Sequence, residues 1–199
     1  MRTNLIAAFG VVAGGAIIAS AGTVSLTMQN GNGGGFEFNT TAFSLTNLSE
    51  PGVRLTQATF TVGDTQCLFD FLYSSEEQFI GGNGSESATL LVGDRSDDNA
   101  GPDLFTYGFD GFAPGVTFRG QWDIDYDNFN YNVDVRQIFF NNGDAPNAVV
   151  SLIFSDASVA SYEFPDLPVL ESYSIVIPGP ASWSLAALGT ASLLRRRRR

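Results

Sequence analysis

The chain has 199 residues, 44% of them hydrophobic and 13% aromatic, which is enough for one folded domain with a core. It contains 21 acidic residues against 10 arginines, with no lysine and no histidine. Residues 22–176 hold every carboxylate but only four arginines, which leaves that stretch with a net charge of −17. Such a charge repels nucleic acid and anionic lipid surfaces, and it argues against both as partners.

The composition also removes most catalytic chemistries. Without histidine or lysine, and with Cys67 as the only cysteine, the chain lacks the residues for a Ser-His-Asp or Cys-His site, a lysine Schiff base or a histidine-ligated metal. Paired carboxylates remain available, as in glycoside hydrolases, but nothing marks a particular pair. We predict no catalytic residue. We interpret Cys67 as a buried thiol on a strand face, with an intermolecular disulfide as the alternative.

The N-terminal segment has the features of an export signal. Arg2 is followed by an apolar run over residues 5–18 and then by the small residues 19–21. This is the order that secretory signal peptides show before their cleavage site. We therefore expect residues 1–21 to be a signal peptide that signal peptidase cuts between Ala21 and Gly22. The alternative, a buried N-terminal helix, is disfavoured by the glycines of the run.

Residues 22–176 alternate between apolar and polar side chains, which is typical of half-buried strands. Strands are predicted over residues 23–28, 42–46, 58–62, 67–73, 88–92, 116–127, 133–140, 148–154, 159–164 and 169–177. Turn residues separate them, and no window shows a helical stripe. About ten short strands with this punctuation predict an all-β fold, an antiparallel, jelly-roll-like β-sandwich of two packed sheets.

The segment over residues 74–102 interrupts this pattern. It is acidic and rich in glycine, serine and asparagine, with one apolar run at residues 88–92. We expect a long excursion at one end of the sandwich. Such a segment either carries function or is an insertion that an exported protein tolerates, and the sequence does not decide between the two.

A candidate calcium site lies in the segment over residues 123–134. Four carboxylates occupy positions 1, 3, 5 and 12 of an EF-hand-like loop, namely Asp123, Asp125, Asp127 and Asp134. However, Asn128 stands where that loop needs glycine, and the preceding segment is predicted as strand. The preferred interpretation is a solvated strand face. A bound calcium ion stays open, because carboxylates about 7 Å apart along one face repel each other.

Aromatic residues near these carboxylates suggest a carbohydrate surface. Tyr126, Phe129 and Tyr131 stand beside amides and acids. Aromatic rings can stack on sugar rings while polar neighbours bind the hydroxyls. Packing into the core is the more frequent use of aromatic residues in a sandwich, so both interpretations stand.

The C-terminus combines three features in a fixed order. A proline turn is followed by 14 uncharged residues over 181–194 and then by a terminal arginine cluster. The turn residues are Pro178, Gly179 and Pro180, and the cluster begins with Arg195, Arg196 and Arg197. The apolar stretch is shorter than the roughly 20 residues of a comfortable membrane span. The arginines would stay on the cytoplasmic side of a membrane.

This order of features over residues 177–199 resembles the PEP-CTERM sorting signal. The family's motif is Pro-Glu-Pro, so Gly179 stands in place of its acidic residue. The resemblance implies an exosortase-type enzyme that removes the apolar helix from a membrane-anchored precursor. Retention as an anchor in the inner membrane is the alternative. The predicted domains are therefore a signal peptide (1–21), a β-sandwich (22–176) and a sorting or anchor segment (177–199).

These features together predict an exported, non-catalytic protein of the cell surface or of the extracellular matrix of a biofilm, associated with exopolysaccharide. Its expected partners are signal peptidase, an exosortase-type enzyme and extracellular polysaccharide. No cofactor is expected beyond the calcium ion left open above. The alternative function is an exported carbohydrate-active enzyme that uses a pair of carboxylates.

Overall fold

The computed structural model describes residues 22–30, 41–63, 67–72, 74, 77–93, 102–126, 139–140, 147–167 and 172–179. These residues contain eleven strands. In chain order they are β1 Thr23–Asn30, β2 Thr41–Asn47, β3 Leu55–Thr61, β4 Cys67–Leu72, β5 Gln78–Ile80, β6 Ser87–Val92, β7 Leu104–Asp110, β8 Thr117–Tyr126, β9 Val149–Phe154, β10 Val159–Glu163 and β11 Ser172–Pro178.

The strands form two sheets in which neighbouring strands are antiparallel. The first sheet has the order β11-β1-β2-β8-β4, and the short strand β5 also pairs with β8. β5 lies along Thr117–Arg119 of β8, and β4 lies along Trp122–Tyr126 of the same edge. The second sheet has the order β10-β9-β3-β7-β6. The prediction of an all-β fold with two antiparallel sheets is confirmed.

The alternation of apolar and polar residues places one face of each sheet in a shared core. In β1, for example, Val24, Leu26 and Met28 are buried while the residues between them are half-buried. The two sheets meet through aromatic rings, which contribute both buried area and favourable ring geometry. Cys67 is buried in β4, as predicted.

Trp122 of β8 lies at the centre of this aromatic core. Its ring stacks on Phe43 of the same sheet with centroids 4.4 Å apart, and it lies 5.2 Å from Phe60 and 5.1 Å from Phe105 of the other sheet. Close contacts of this kind across the two sheets establish a sandwich-like packing.

Two parts of the strand prediction need correction. Phe139 and Phe140, expected at the end of a strand over residues 133–140, have helical backbone conformation, and both rings are fully buried. Phe139 stacks on Trp122 and Phe140 packs on Tyr173, so their place in the core is set by tertiary contacts. Residues 133–138 lie outside the described part of the chain. The strands β5 and β7 were not predicted.

One end of the sandwich, here called the turn end, carries the connections over residues 48–54, 81–86, 111–116 and 155–158, together with Gly22 and Gly179. Asn47 organises it from a fully buried position. Its side-chain amide donates to the carbonyls of Val53 (3.2 Å) and Phe112 (2.9 Å), and its side-chain oxygen accepts from the backbone N–H of Ser49 (3.0 Å). One satisfied polar group thereby holds the connection that follows β2 against the connection over residues 111–116.

Candidate functional site

An open cleft of about 540 Å³ lies at the turn end, between β5, the connection over residues 81–86 and the start of β6. Its polar lining includes Ser74, Glu77, Gln78, Glu86 and Ser87, and the backbone of Gly81, Gly82 and Gly84 completes the rim. The cleft belongs to the segment over residues 74–102 that the sequence marked as a long excursion. Part of that excursion is strand: β5 joins the first sheet and β6 joins the second.

The floor of the cleft is apolar. Phe79 and Phe118 both line it, and their ring centroids are 5.0 Å apart. Phe118 is fully buried, and Phe79 is half-buried against Phe109 and Phe112. The cleft therefore has a rigid aromatic base beneath a polar rim, which is the common arrangement of sites for small ligands and sugar units.

The connection over residues 81–86 is held in shape by the carboxylate of Glu86. One carboxylate oxygen accepts from the backbone N–H of Asn83 (2.9 Å) and the other accepts from that of Gly84 (2.8 Å). Gly81 and Gly84 have φ values of +81° and +83°, a conformation that glycine adopts without strain. The backbone N–H of Asn83 is the main cause of a lowered pKa for Glu86, so this group stays ionised.

The carboxylate of Glu77 is positioned from the opposite sheet. The hydroxyl of Tyr107, a fully buried residue of β7, donates to Glu77 Oε1 at 2.6 Å. Glu77 precedes β5 in the first sheet, so this hydrogen bond joins the two sheets beside the cleft. An O–H donor at this distance to a carboxylate is a short, strong contact, and it fixes the orientation of the Glu77 carboxylate.

The arrangement suits a ligand that donates hydrogen bonds. The cleft offers carboxylate, amide and hydroxyl oxygens over an aromatic floor, and no lining residue in the described part of the chain carries a positive charge. Two carboxylates in a chain with net charge −11 repel phosphates and acidic polymers. A neutral polyhydroxyl compound meets no such penalty, and its hydroxyl groups match the acceptors.

The predicted calcium ligands are only partly described. The backbone of Asp123 and Asp125 lies in β8, opposite Phe71 and Leu68 of β4, so the strand predicted there is confirmed. Asp127 and Asp134 lie outside the described residues. Within the described part of the chain, no group of three acidic or cysteine residues is placed to hold a metal ion.

The aromatic residues predicted to stack on sugars are also only partly described. Tyr126 ends β8, where its backbone lies opposite Cys67. Phe129 and Tyr131 lie outside the described residues. The cleft lies at the turn end, whereas the backbone of Tyr126 ends β8 at the other end of the sandwich.

At each of the two predicted processing sites, the structure describes the residues that belong to the sandwich and leaves out those beyond it. Gly22 and the pair Pro178 and Gly179 lie in the structure, while Ala21, Pro180, Arg195, Arg196 and Arg197 lie outside the described residues. Strand β11 includes Pro178, so the domain boundary expected after residue 176 falls inside this strand. Among the described residues there is no helix with the length and apolar character of a membrane span.

The residues that build the cleft were not singled out by the sequence. Glu77 and Tyr107 are 30 positions apart and meet only through the packing of the two sheets. A local signal did exist for Glu86, since an acid that follows a run of glycine and asparagine is placed to accept hydrogen bonds from that turn. Comparison of the chain with protein-family models, curated proteins and solved structures finds no match.

Proposed function

We propose that this chain is an exported, non-catalytic protein of the cell surface or extracellular matrix, and that its β-sandwich binds a neutral polysaccharide in the cleft at the turn end. The observation that carries the proposal is the cleft itself, with oxygen acceptors around the rim and Phe79 and Phe118 at the base. Sugar hydroxyls can donate to the acceptors while the less polar face of the ring covers Phe79, the half-buried member of the aromatic pair.

Export and sorting belong to the same proposal and are supported by the sequence of the two termini. Signal peptidase would remove residues 1–21, and an exosortase-type enzyme would act on the segment over residues 177–199 while its apolar stretch is in the inner membrane. The protein would then be found outside the cell or on its surface. The net charge argues against nucleic acid as a partner.

Jelly-roll-like connectivity is the finer fold proposal. Among the crossings between the sheets, the one from β2 to β3 runs from the first sheet to the second, and the one from β7 to β8 runs from the second to the first. β2 pairs with β8 and β3 pairs with β7, so the two crossings run side by side in opposite directions. Such paired crossings are a feature of rolled antiparallel sandwiches.

Calcium is retained as the less favoured alternative for Asp123, Asp125, Asp127 and Asp134. A strand that carries carboxylates at alternate positions is explained by solvation alone. A calcium ion would lower the repulsion among them and would raise the melting temperature of the protein.

An exported carbohydrate-active enzyme is the second candidate, because Glu77 and Glu86 line the same cleft. A glycoside hydrolase needs one carboxyl group that keeps its proton until the sugar oxygen takes it. Glu86 is unsuited to this role, since backbone N–H groups lower its pKa and occupy both of its oxygens. This favours binding over hydrolysis.

The test is a titration of the exported protein with neutral and acidic polysaccharides, followed by analysis of the polymer length. We expect binding of a neutral polymer without shortening, and weaker binding by Gln78→Ala and Glu77→Gln. The matched controls are Gln121→Ala on the outer face of β8 and Glu163→Gln on β10, which do not line the cleft. Binding that the cleft variants leave unchanged would contradict the proposed site, and shortened chains would favour the enzyme.

A further inference from the structure

The two ends of the described chain meet at one point of the turn end. The backbone N–H of Gly179 donates to the carbonyl oxygen of Gly22 at 2.6 Å, directly beyond the last register pair of β1 and β11, Thr23 with Pro178. Both glycines are buried. We call Gly22 and Gly179 the glycine clasp.

Neither position of the glycine clasp has room for a side chain. A Cβ on Gly179 would overlap the carbonyl oxygen of Gly22 and would lie 3.1 Å from its nitrogen. A Cβ on Gly22 would enter the ring of Phe154, which is itself only 2% exposed. Real Cβ atoms do not approach other atoms this closely, so a larger residue at either position forces the two strand ends apart.

The surrounding contacts hold both strand ends in place. On the side of β1 away from β11, the backbone N–H of Thr23 donates to the hydroxyl of Ser49 at 2.9 Å, and that hydroxyl donates back to the carbonyl of Thr23. On β11, Ile177 is 1% exposed and pairs with Val24. Detaching the end of β11 would expose Ile177 and break these backbone pairs, which opposes access by a peptidase.

We infer that the glycine clasp fixes the limits of the processed protein: the signal peptide is removed before Gly22, and C-terminal processing cuts after Gly179, so both glycines stay on the mature protein. The inference rests on the export and C-terminal processing proposed above. In a hydrolytic cut the peptide C–N bond breaks, and water supplies hydroxyl to the carbonyl carbon and a proton to the leaving nitrogen. If the acyl group is transferred instead, an amine of the acceptor takes the place of water.

The clasp also gives a physical reason for the departure from the Pro-Glu-Pro motif. A glutamate at position 179 has a Cβ, and the position beside Gly22 excludes one. In this chain the middle residue of the motif therefore closes the edge of the folded sheet. A cut at or before the peptide bond between Pro178 and Gly179 would require a processing enzyme to unpair the end of β11.

Intact-mass analysis of the protein exported by its own host, with sequencing of the terminal peptides, tests the inference. We expect a chain that begins at Gly22 and ends at Gly179 or later, without the terminal arginines. A C-terminus at Pro178 or earlier overturns the inference but leaves the proposed sorting intact. A mass that retains Arg199 overturns the C-terminal cut and the proposed sorting together.

The clasp itself is tested by limited proteolysis with a nonspecific peptidase on the exported protein. Gly179→Glu is expected to raise the rate of cleavage within residues 172–179 about tenfold, which corresponds to a modest loss of strand pairing. Ser174→Glu is the matched control, because it adds the same side chain to an exposed position of β11. If Gly179→Glu does not fold, Gly179→Ala replaces it. Equal cleavage rates for variant and control overturn the clasp.

Discussion

Two corners of the turn end use glycine in opposite ways. At the β1–β11 corner, Gly22 and Gly179 let two backbones touch, and the corner is closed. At the β5–β6 corner, Gly81 and Gly84 take positive φ values and let the chain turn away from the sheets, which leaves a cleft. Glycine thus serves close approach in one corner and turn geometry in the other, and the cleft lies at the second corner.

Asn47 supports the loops between these corners, and its loss is expected to have the largest effect. Asn47→Ala removes the side-chain hydrogen bonds to the carbonyl of Val53 and the N–H of Ser49, while the carbonyl of Phe112 keeps its bond from the backbone N–H of Leu55. We expect a loss of about 2–4 kcal/mol in the free energy of unfolding, measured by urea denaturation. The control is Asn147→Ala, which removes a half-buried asparagine near the end of the sandwich opposite the turn end. If the two variants lose free energies of unfolding within 0.5 kcal/mol of each other, this role of Asn47 is contradicted.

A substitution that adds a side chain to the closed corner should show whether the two corners act independently. Gly22→Ala forces its Cβ against Phe154, and overpacking of this kind costs about 1–3 kcal/mol. Thermal unfolding measures the loss, and polysaccharide titration shows whether the cleft is affected. We expect lower stability with unchanged affinity. A change in affinity as large as that in stability would mean that the corners are coupled.

The opposite end of β11 is held by a weaker contact. The hydroxyls of Tyr162 and Tyr173 are 2.7 Å apart, and burial together with this contact raises the pKa of Tyr173 well above its usual range. Tyr162→Phe removes the hydrogen bond between the two hydroxyls. We expect the free energy of unfolding to fall by about 1 kcal/mol, measured by chemical denaturation. The clasp should remain intact, so the proteolysis of residues 177–179 should not change. Faster cleavage there would show that β11 detaches as a whole strand.

The smallest effect concerns pH at the open corner. The pKa of Glu86 is lowered in the folded state. The stability that its carboxylate gives to the folded state is therefore present above the unfolded pKa, and it is lost as the pH falls through the folded pKa. Acidification should therefore loosen the connection over residues 81–86 before the sandwich unfolds. We correct the hydrogen-exchange rates of these amides for the intrinsic pH dependence of exchange. The corrected rates in the wild type should rise from neutral to acidic pH. In Glu86→Gln, these amides should exchange at every pH as fast as in the acidified wild type, once the chemical exchange rate is corrected for. If the variant still loosens as the pH falls, another group causes the effect.

The sequence predicted the fold best where alternation was long and uninterrupted. Strand β8 was expected over residues 116–127 and is found at Thr117–Tyr126, after a proline-glycine turn. β7 was missed because its two faces are poorly distinguished: Thr106 is only 5% exposed, and Gly108 is covered by Leu91. β5 has three residues, which is too short to show a period.

The cleft could not be derived from the sequence in the same way. The position of Glu77 depends on Tyr107 reaching it from the other sheet, and no spacing along the chain encodes that meeting. The C-terminal motif shows the same limit. The sequence shows a glycine between two prolines, but the steric reason for glycine at position 179 appears only when β11 is seen beside Gly22.

Hydrogen exchange with mass spectrometry shows whether a neutral polysaccharide occupies the open corner. Peptides from the exported protein are compared with and without a saturating neutral polysaccharide. We expect slower exchange in residues 77–88, which frame the cleft, and no change in residues 172–179 of the closed corner. Protection at the closed corner, or protection elsewhere that leaves residues 77–88 unchanged, would contradict the proposal.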